Sequence, residues 1–427
     1  MRLRTPLIAW LVLLAQACGG GSGGSSPAPA SPKSIVSIQV AGPPVKVFDH
    51  TKDKQEPDNL PDAPITAWKE GNGTVNLLIP STEAYRMRGP DLEHVSIDPT
   101  KIYSSALSAS QIPEDLYNYN HWLLAPYSLD GVHFFTVAHH EWYACLLNGD
   151  CSQAAPNGEV AQTNSWANTL NSFVSSDGGA SWQLNTVGGS HVIANTSYHW
   201  TGSQALAQKV YLQALNHTGM FGCSRLVREG AWWYAITYYI HRDFSQINPT
   251  QGQYQAPIDN FGFVLIRTND FTDPNGWQAW SGGSVYEPLA NLHFQTFLPQ
   301  SNGASMNALT PQLIFDTVAQ RTVMISTVFG GSNPVYYSTT ASLANPSWSD
   351  AMPIVGTVQL TTDPAGPVQG FNDASYPSIL DPNSGGYNFE FTSGNPLLFY
   401  STSPGAYGGD NLARDVYRVQ LSVTYGP

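Results

Sequence analysis

Apolar residues along this chain come in short runs of strand length, and helical periodicity is scarce. Val75–Ile79, Val132–Ala138, Ala231–Tyr239, Phe261–Arg267, Thr322–Phe329, Leu397–Ser401 and Val416–Val423 each alternate or run apolar. Gly, Pro, Asn and Asp punctuate them, which is the signature of strands joined by turns. Only Ser203–Leu215 is helix-compatible. Many short strands predict a sandwich, a barrel or a propeller. Ser34–Ala41 is a further strand at the N-terminal side, and pairing it with Val416–Val423 would leave no open sheet edge.

An internal repeat chooses among these folds. Phe173–Trp182 (FVSSDGGASW) contains S-x-D-x-G-x-S-W and resembles the Asp-box of sialidase-like propellers. In that motif the Asp shapes a hairpin turn and the Trp packs between strands of one blade. Asp177 and Trp182 are therefore read as structural. Looser echoes occur at Tyr127–Gly131, Phe263–Trp277 and Val335–Trp348. Trp277 and Trp348 lie 71 residues apart, and a folded stretch of about 360 residues divided by about 70 gives five units. The expected fold is all-β, a five-bladed β-propeller spanning residues 34–427, with six blades as the alternative.

The first residues read as an address. Arg2 and Arg4 precede an apolar run, Leu7–Leu14, too short to span a bilayer. Ala15-Gln16-Ala17-Cys18 resembles the lipobox of bacterial lipoproteins, so 1–18 is expected to be a signal peptide with Cys18 lipidated. Cleavage after Ala17 of an ordinary secretory signal is the alternative. Residues 19–33, rich in Gly, Ser and Pro, suit a flexible tether. The domain is then exported, and meets a membrane only through its anchor.

Composition fits that picture. Charged residues are 11% of the chain, against about 25% in an average soluble protein. The net charge of −13 argues against a nucleic-acid partner. Cys145 and Cys151 bracket a short loop and are expected to form a disulfide, leaving Cys223 free and buried. No CxxC pair or HExxH spacing points to a metal, no cofactor is indicated, and a monomer suffices.

In a propeller, chemistry gathers at one channel mouth, where the innermost strands converge. Thr136–Tyr143 (TVAHHEWY) is the densest candidate. Alternation puts His139 and Glu141 on one face of its strand and His140 on the other. A carboxyl beside aromatic rings is desolvated, which suits a general acid. Glu141, His139, His140 and Asp373 are the catalytic candidates. Asn120, His121, Trp122, Tyr143, Arg225, His241, Arg242, Asn307, Gln312 and Tyr376 are the substrate-binding candidates, because each lies at the start or end of an expected inner strand.

The chain also resembles a family of bacterial secreted, sialidase-like propellers. Ala125–Gly131, Val137–Tyr143, Cys145, Cys151, Tyr376–Pro382 and Arg414–Val419 carry the likeness; His140 and Tyr143 depart from its pattern. The resemblance implies a carbohydrate-directed protein. A true sialidase would add an Arg-Ile-Pro motif, which is absent, and three arginines, for which Arg225, Arg242 and Arg414 are the candidates. The expected activity is glycoside hydrolysis of a poly- or oligosaccharide by two carboxylates, Glu141 and Asp373. The alternatives are a lyase acting on uronic-acid glycans through a His or Tyr base, and a non-catalytic glycan-binding lipoprotein.

Overall fold

The computed structural model describes residues 32–56, 60–105, 117, 120–143, 166–194, 218–243, 246, 257–306, 308–328, 334–360, 374–402 and 414–427. Cys18, Cys145, Cys151, Asn307, Asp373 and the segment Ser203–Leu215 lie outside them. Among the described residues the chain is all-β, and its strands form five antiparallel meanders in chain order.

The first sheet runs through Thr66–Lys69, Val75–Ile79, Glu83–Gly89 and Ser96–Ser104. The second holds His121–Leu123 and Tyr127–Ser128 on one side of Phe134–Tyr143, then Trp166–Ser175. The third runs from Thr218–Phe221 and Val227–Glu229 through Trp232–Arg242 and Ile258–Thr268 to Gln278–Gly282 and Val285–Pro288. The second and third are joined by a short parallel contact, Ala167 beside Thr218. The fourth is Ala308–Asp316, Arg321–Val328, Val335–Thr340 and Met352–Pro353. The fifth is Ser375–Leu380, Leu397–Thr402 and Asp415–Gly426, completed by the N-terminal strand Ser34–Val40.

The pairing of Ser34 with Gly426 and Val40 with Leu421 meets the expectation from the chain ends. It covers the last sheet's open edge with the first strand of the chain.

The core explains how the sheets sit. Five apolar clusters each lie between neighbouring sheets. Trp68, Leu78 and Ile102 of the first meet Phe134 and Phe173 of the second. Leu170 and Val137 meet Val264 and Ile266. Ile236 and Phe263 meet Leu313 and Met324. Ile314 and Val323 meet Leu398 and Val419. The last cluster joins Phe399 and Val416 of the fifth sheet to Leu77 and Met87 of the first. Each sheet is thus buried on both faces by its neighbours, which is why the long strands read as apolar runs more than strict alternations.

Prolines mark the first strands. Pro64, Pro126, Pro311 and Pro377 stand just before or within the first strands of four sheets. A strand on the inner edge has one side without a ladder partner, so it tolerates a residue with no N–H.

The Asp177 turn connects the third strand of the second sheet to its edge strand. Asp177 Oδ1 accepts from Ser175 Oγ (2.7 Å) and from the Ser181 N–H (2.9 Å). Trp182 packs on Phe134 of its own sheet, with ring centroids 6.5 Å apart. It stands edge-on to Trp68 of the first sheet at 6.2 Å, and Trp68 Nε1 donates to the Gly178 carbonyl (2.9 Å). The turn therefore fastens two sheets together. Gly179, at φ +83°, lies so close to Trp68 that a Cβ would fall 2.7 Å from its ring. The stretches Phe263–Trp277 and Val335–Trp348 likewise begin in the third strands of their sheets and run on through the turn that follows, whereas Tyr127–Gly131 begins in Tyr127–Ser128 and leads to the second strand.

Candidate functional site

Register places the site. Trp142 pairs with Ala167 and Glu141 with Asn168; Asn168 is beside Gly219, and Gly219 pairs with Ile240. The C-terminal ends of Phe134–Tyr143 and Trp232–Arg242 therefore share one end of the molecule. The loop carrying Asp62, which precedes the first sheet, reaches the same end, as do Tyr376 at the start of Ser375–Leu380 and Arg414 just before Asp415–Gly426.

Here Asp62, Tyr376 and Arg414 are in contact, His139 and Glu141 are in contact, and the two groups are near enough for the Asp62 charge to act on His139 and the Glu141 charge on Tyr376. His139 and Glu141 are two residues apart on one strand and so share a face. His139 Nε2 is 3.6 Å from Glu141 Oε1 and 2.8 Å from Asn168 Oδ1. Asn168 Nδ2 donates to the Thr218 carbonyl (3.2 Å), which fixes its Oδ1 as acceptor and puts the His139 proton on Nε2. Trp122, cross-strand from His139, stacks on its ring at 5.4 Å, and Phe221 lies 6.1 Å from it. Burial pushes the His139 imidazole down to about 4, against the opposing pull of Asn168 and Asp62.

Asp62 Oδ1 accepts from the Tyr376 hydroxyl (3.1 Å) and from Arg414 Nη1. The Arg414 guanidinium also lies over the Tyr376 ring at 5.7 Å. Burial raises the Tyr376 phenol well above its usual range, and the charges of Asp62 and Glu141 both add to that. Burial works to lower the Arg414 value, but Asp62 and Tyr376 outweigh it and hold the guanidinium charged. Asp62, from the loop before the first sheet, thus bonds this tyrosine, and Glu141 of the second sheet adds its charge.

The other predicted residues divide by depth. Asn120 accepts the Glu141 N–H at its carbonyl (3.0 Å) from a left-handed conformation, φ +46°. His121 and His140 pair on the opposite face of the strands, inside the protein. His140 Nδ1 is 2.8 Å from Thr169 Oγ1, and His121 Nδ1 is 2.9 Å from the Tyr103 hydroxyl. Burial holds both rings neutral: His121 falls to about 3, and His140 well below its ordinary value. Tyr143 ends the strand that carries Glu141. His241 and Arg242 end theirs; His241 Nδ1 is 2.5 Å from Asp259 Oδ1, and burial lowers the Arg242 value.

Arg225 and Gln312 lie deeper. The Arg225 guanidinium donates to the Leu313 and Phe389 carbonyls (3.3 and 3.2 Å) and to Ser378 Oγ (2.9 Å). Its backbone N–H donates to Gln312 Oε1 (3.2 Å). Burial lowers Arg225 to about 10, with Glu390 opposing. Arg225 therefore ties the third, fourth and fifth sheets across the middle, and it does not join Arg242 and Arg414 in a triad. Cys223, beside it, is free and buried as expected.

Asp62 and Asn168 were not singled out by sequence. Asp62 sits in Pro61-Asp62-Ala63-Pro64, two residues before one of the repeated inner-strand prolines. That repeat is the signal that points to it.

No protein-family model matches the chain, so the sialidase-like resemblance rests on its motifs, and no curated protein matches the sequence. Solved structures similar in shape include a protein of unknown function from Dyadobacter fermentans, at 11% identity and TM-score 0.45, covering 91% of this chain and 100% of that one. The catalytic domain of a GH62 α-L-arabinofuranosidase from Coprinopsis cinerea aligns at 12% identity and TM-score 0.44, covering 92% and 98%. Zg3597, a family 117 glycoside hydrolase of Zobellia galactanivorans, aligns at 7% identity and TM-score 0.48, covering 90% of each chain.

Proposed function

We propose that this protein is an exported glycoside hydrolase, a five-bladed β-propeller held at the cell envelope through Cys18, that cuts a glycosidic bond in a poly- or oligosaccharide. Asp62 and Glu141 are its carboxylate pair. The observation that carries the reading is the approach of Asp62, from the loop before the first sheet, and Glu141, from the second sheet, to Tyr376 and His139 at one end of the molecule. Glu141 is the more enclosed and is assigned as proton donor to the leaving oxygen. Asp62, held beside a cation, is assigned as the base or nucleophile on the other side of the bond. Trp122 and Phe221 give the mouth its apolar faces for a sugar ring.

The lyase alternative would draw on His139 as base and on Arg242, which ends Trp232–Arg242 at the same end, because Arg414 is engaged by Asp62 and Arg225 by backbone carbonyls. The mass of the products separates elimination from hydrolysis.

Purified protein incubated with a polysaccharide panel tests this. Asp62→Asn and Glu141→Gln are each expected to lower the hydrolysis rate by about 10²- to 10⁴-fold with the fold intact. Full activity in both variants would remove the carboxylate pair. Ligand binding with no product from any glycan would favour the binding module.

A further inference from the structure

The Asp62 carboxylate is gripped through one oxygen. Both the Tyr376 hydroxyl and Arg414 Nη1 donate to Oδ1, and neither reaches Oδ2. The two donors hold each other as well, since the guanidinium lies over the phenol ring. Tyr376 achieves this from an unfavourable backbone. Its φ is +52°, in the left-handed region, and it precedes Pro377, at an irregularity of register between Ser375 and Ser378. An aromatic residue is strained there, and Thr310, before Pro311 in the fourth sheet, has the same φ at a similar irregularity. The backbone of Asp62 is fixed separately, its N–H donating to the Pro80 carbonyl (3.0 Å).

We propose that Tyr376 and Arg414 are positioning residues that clamp Asp62 by Oδ1 and present Oδ2 as the reacting oxygen. This rests on the hydrolase reading above and deepens it. With Asp62 as base, Oδ2 takes a proton from water, the water oxygen bonds to the anomeric carbon, the bond to the leaving oxygen breaks, and Glu141 gives that oxygen its proton. With Asp62 as nucleophile, Oδ2 bonds to the anomeric carbon as the bond to the leaving oxygen breaks and Glu141 gives that oxygen its proton; a water that gives its proton to Glu141 then bonds to the anomeric carbon and releases Oδ2. In both cases the clamp sets the angle of attack. Both clamping residues belong to the fifth sheet and Asp62 precedes the first, so the clamp bridges the seam where the ring of sheets closes.

A tie that only closes the ring would make the same contacts, so the test must separate stability from turnover. Tyr376→Phe keeps the ring under Arg414 and deletes one donor. It is expected to lower kcat by about 10- to 100-fold, the cost of a small misplacement of a reacting group, with KM little changed. Arg414→Lys, which keeps a cation but not the planar fork, is expected to retain more kcat than Arg414→Ala. Thermal melts on the same samples report folding. Wild-type kcat in folded Tyr376→Phe and Arg414→Lys would overturn the clamp, as would a rise in KM with kcat unchanged. Asp62→Asn separates the two levels. If that variant is fully active, the hydrolase assignment of Asp62 fails; if it is inactive while Tyr376→Phe turns over normally, only the clamp fails.

Discussion

His121, His139 and His140 share a short stretch of the second sheet and are all held neutral by burial. Each binds a proton in the unfolded chain near pH 6.5 but not in the folded one until well below it. As pH falls from 6.5 toward about 4, the unfolded state therefore gains protons that the folded state refuses, and stability drops. Each such histidine contributes a loss of about 1.4 kcal/mol per pH unit in that window. Denaturant midpoints measured between pH 7 and 4.5 should fall, and fall less in His121→Asn, which removes one titrating ring. Strand alternation was enough to pair His139 with Glu141 and to set His140 apart. It could not find Asp62, which lies in a proline-flanked loop with no periodicity and acquires its partners only when the fifth sheet meets the first.

Among the elements, the long strands were legible because apolar residues on both faces are buried between sheets. Val75–Ile79 appears with the bounds its sequence suggests, and Val132–Ala138 lies largely within Phe134–Tyr143. The second strand of each sheet is the clearest, and the inner ones, broken by proline, the least. The turn at Asp177 was recognisable from its residues, but the contact of Trp182 with the first sheet was not, since Trp68 is more than a hundred residues away. Trp182→Ala should cost about 3–5 kcal/mol of stability, measured by denaturant unfolding. Asp177→Ala, which removes acceptors from an exposed turn, should cost about 1 kcal/mol. Both should leave kcat/KM unchanged below the melting temperature, since neither residue approaches the site.

At the scale of the molecule, the sheet that closes the ring also separates its two ends. Arg414 and Asp415 lie at the candidate site, and Gly426, paired with Ser34, lies at the far end of the same strand. At about 3.3 Å per residue, that strand spans roughly 35–40 Å. Ser34, the first residue of that N-terminal strand, thus lies away from the site. If Cys18 carries the anchor, Cys18→Ala should move the protein from the membrane fraction to the soluble one with unchanged kcat/KM on a soluble oligosaccharide. The central claim is that Asp62 and Glu141 together hydrolyse a glycosidic bond, and product mass analysis after digestion of a polysaccharide panel tests it most directly. The expected result is fragments that gain one water for each bond cut, absent with Asp62→Asn or Glu141→Gln. Unsaturated fragments without added water, or hydrolysis that persists in both variants, would contradict it.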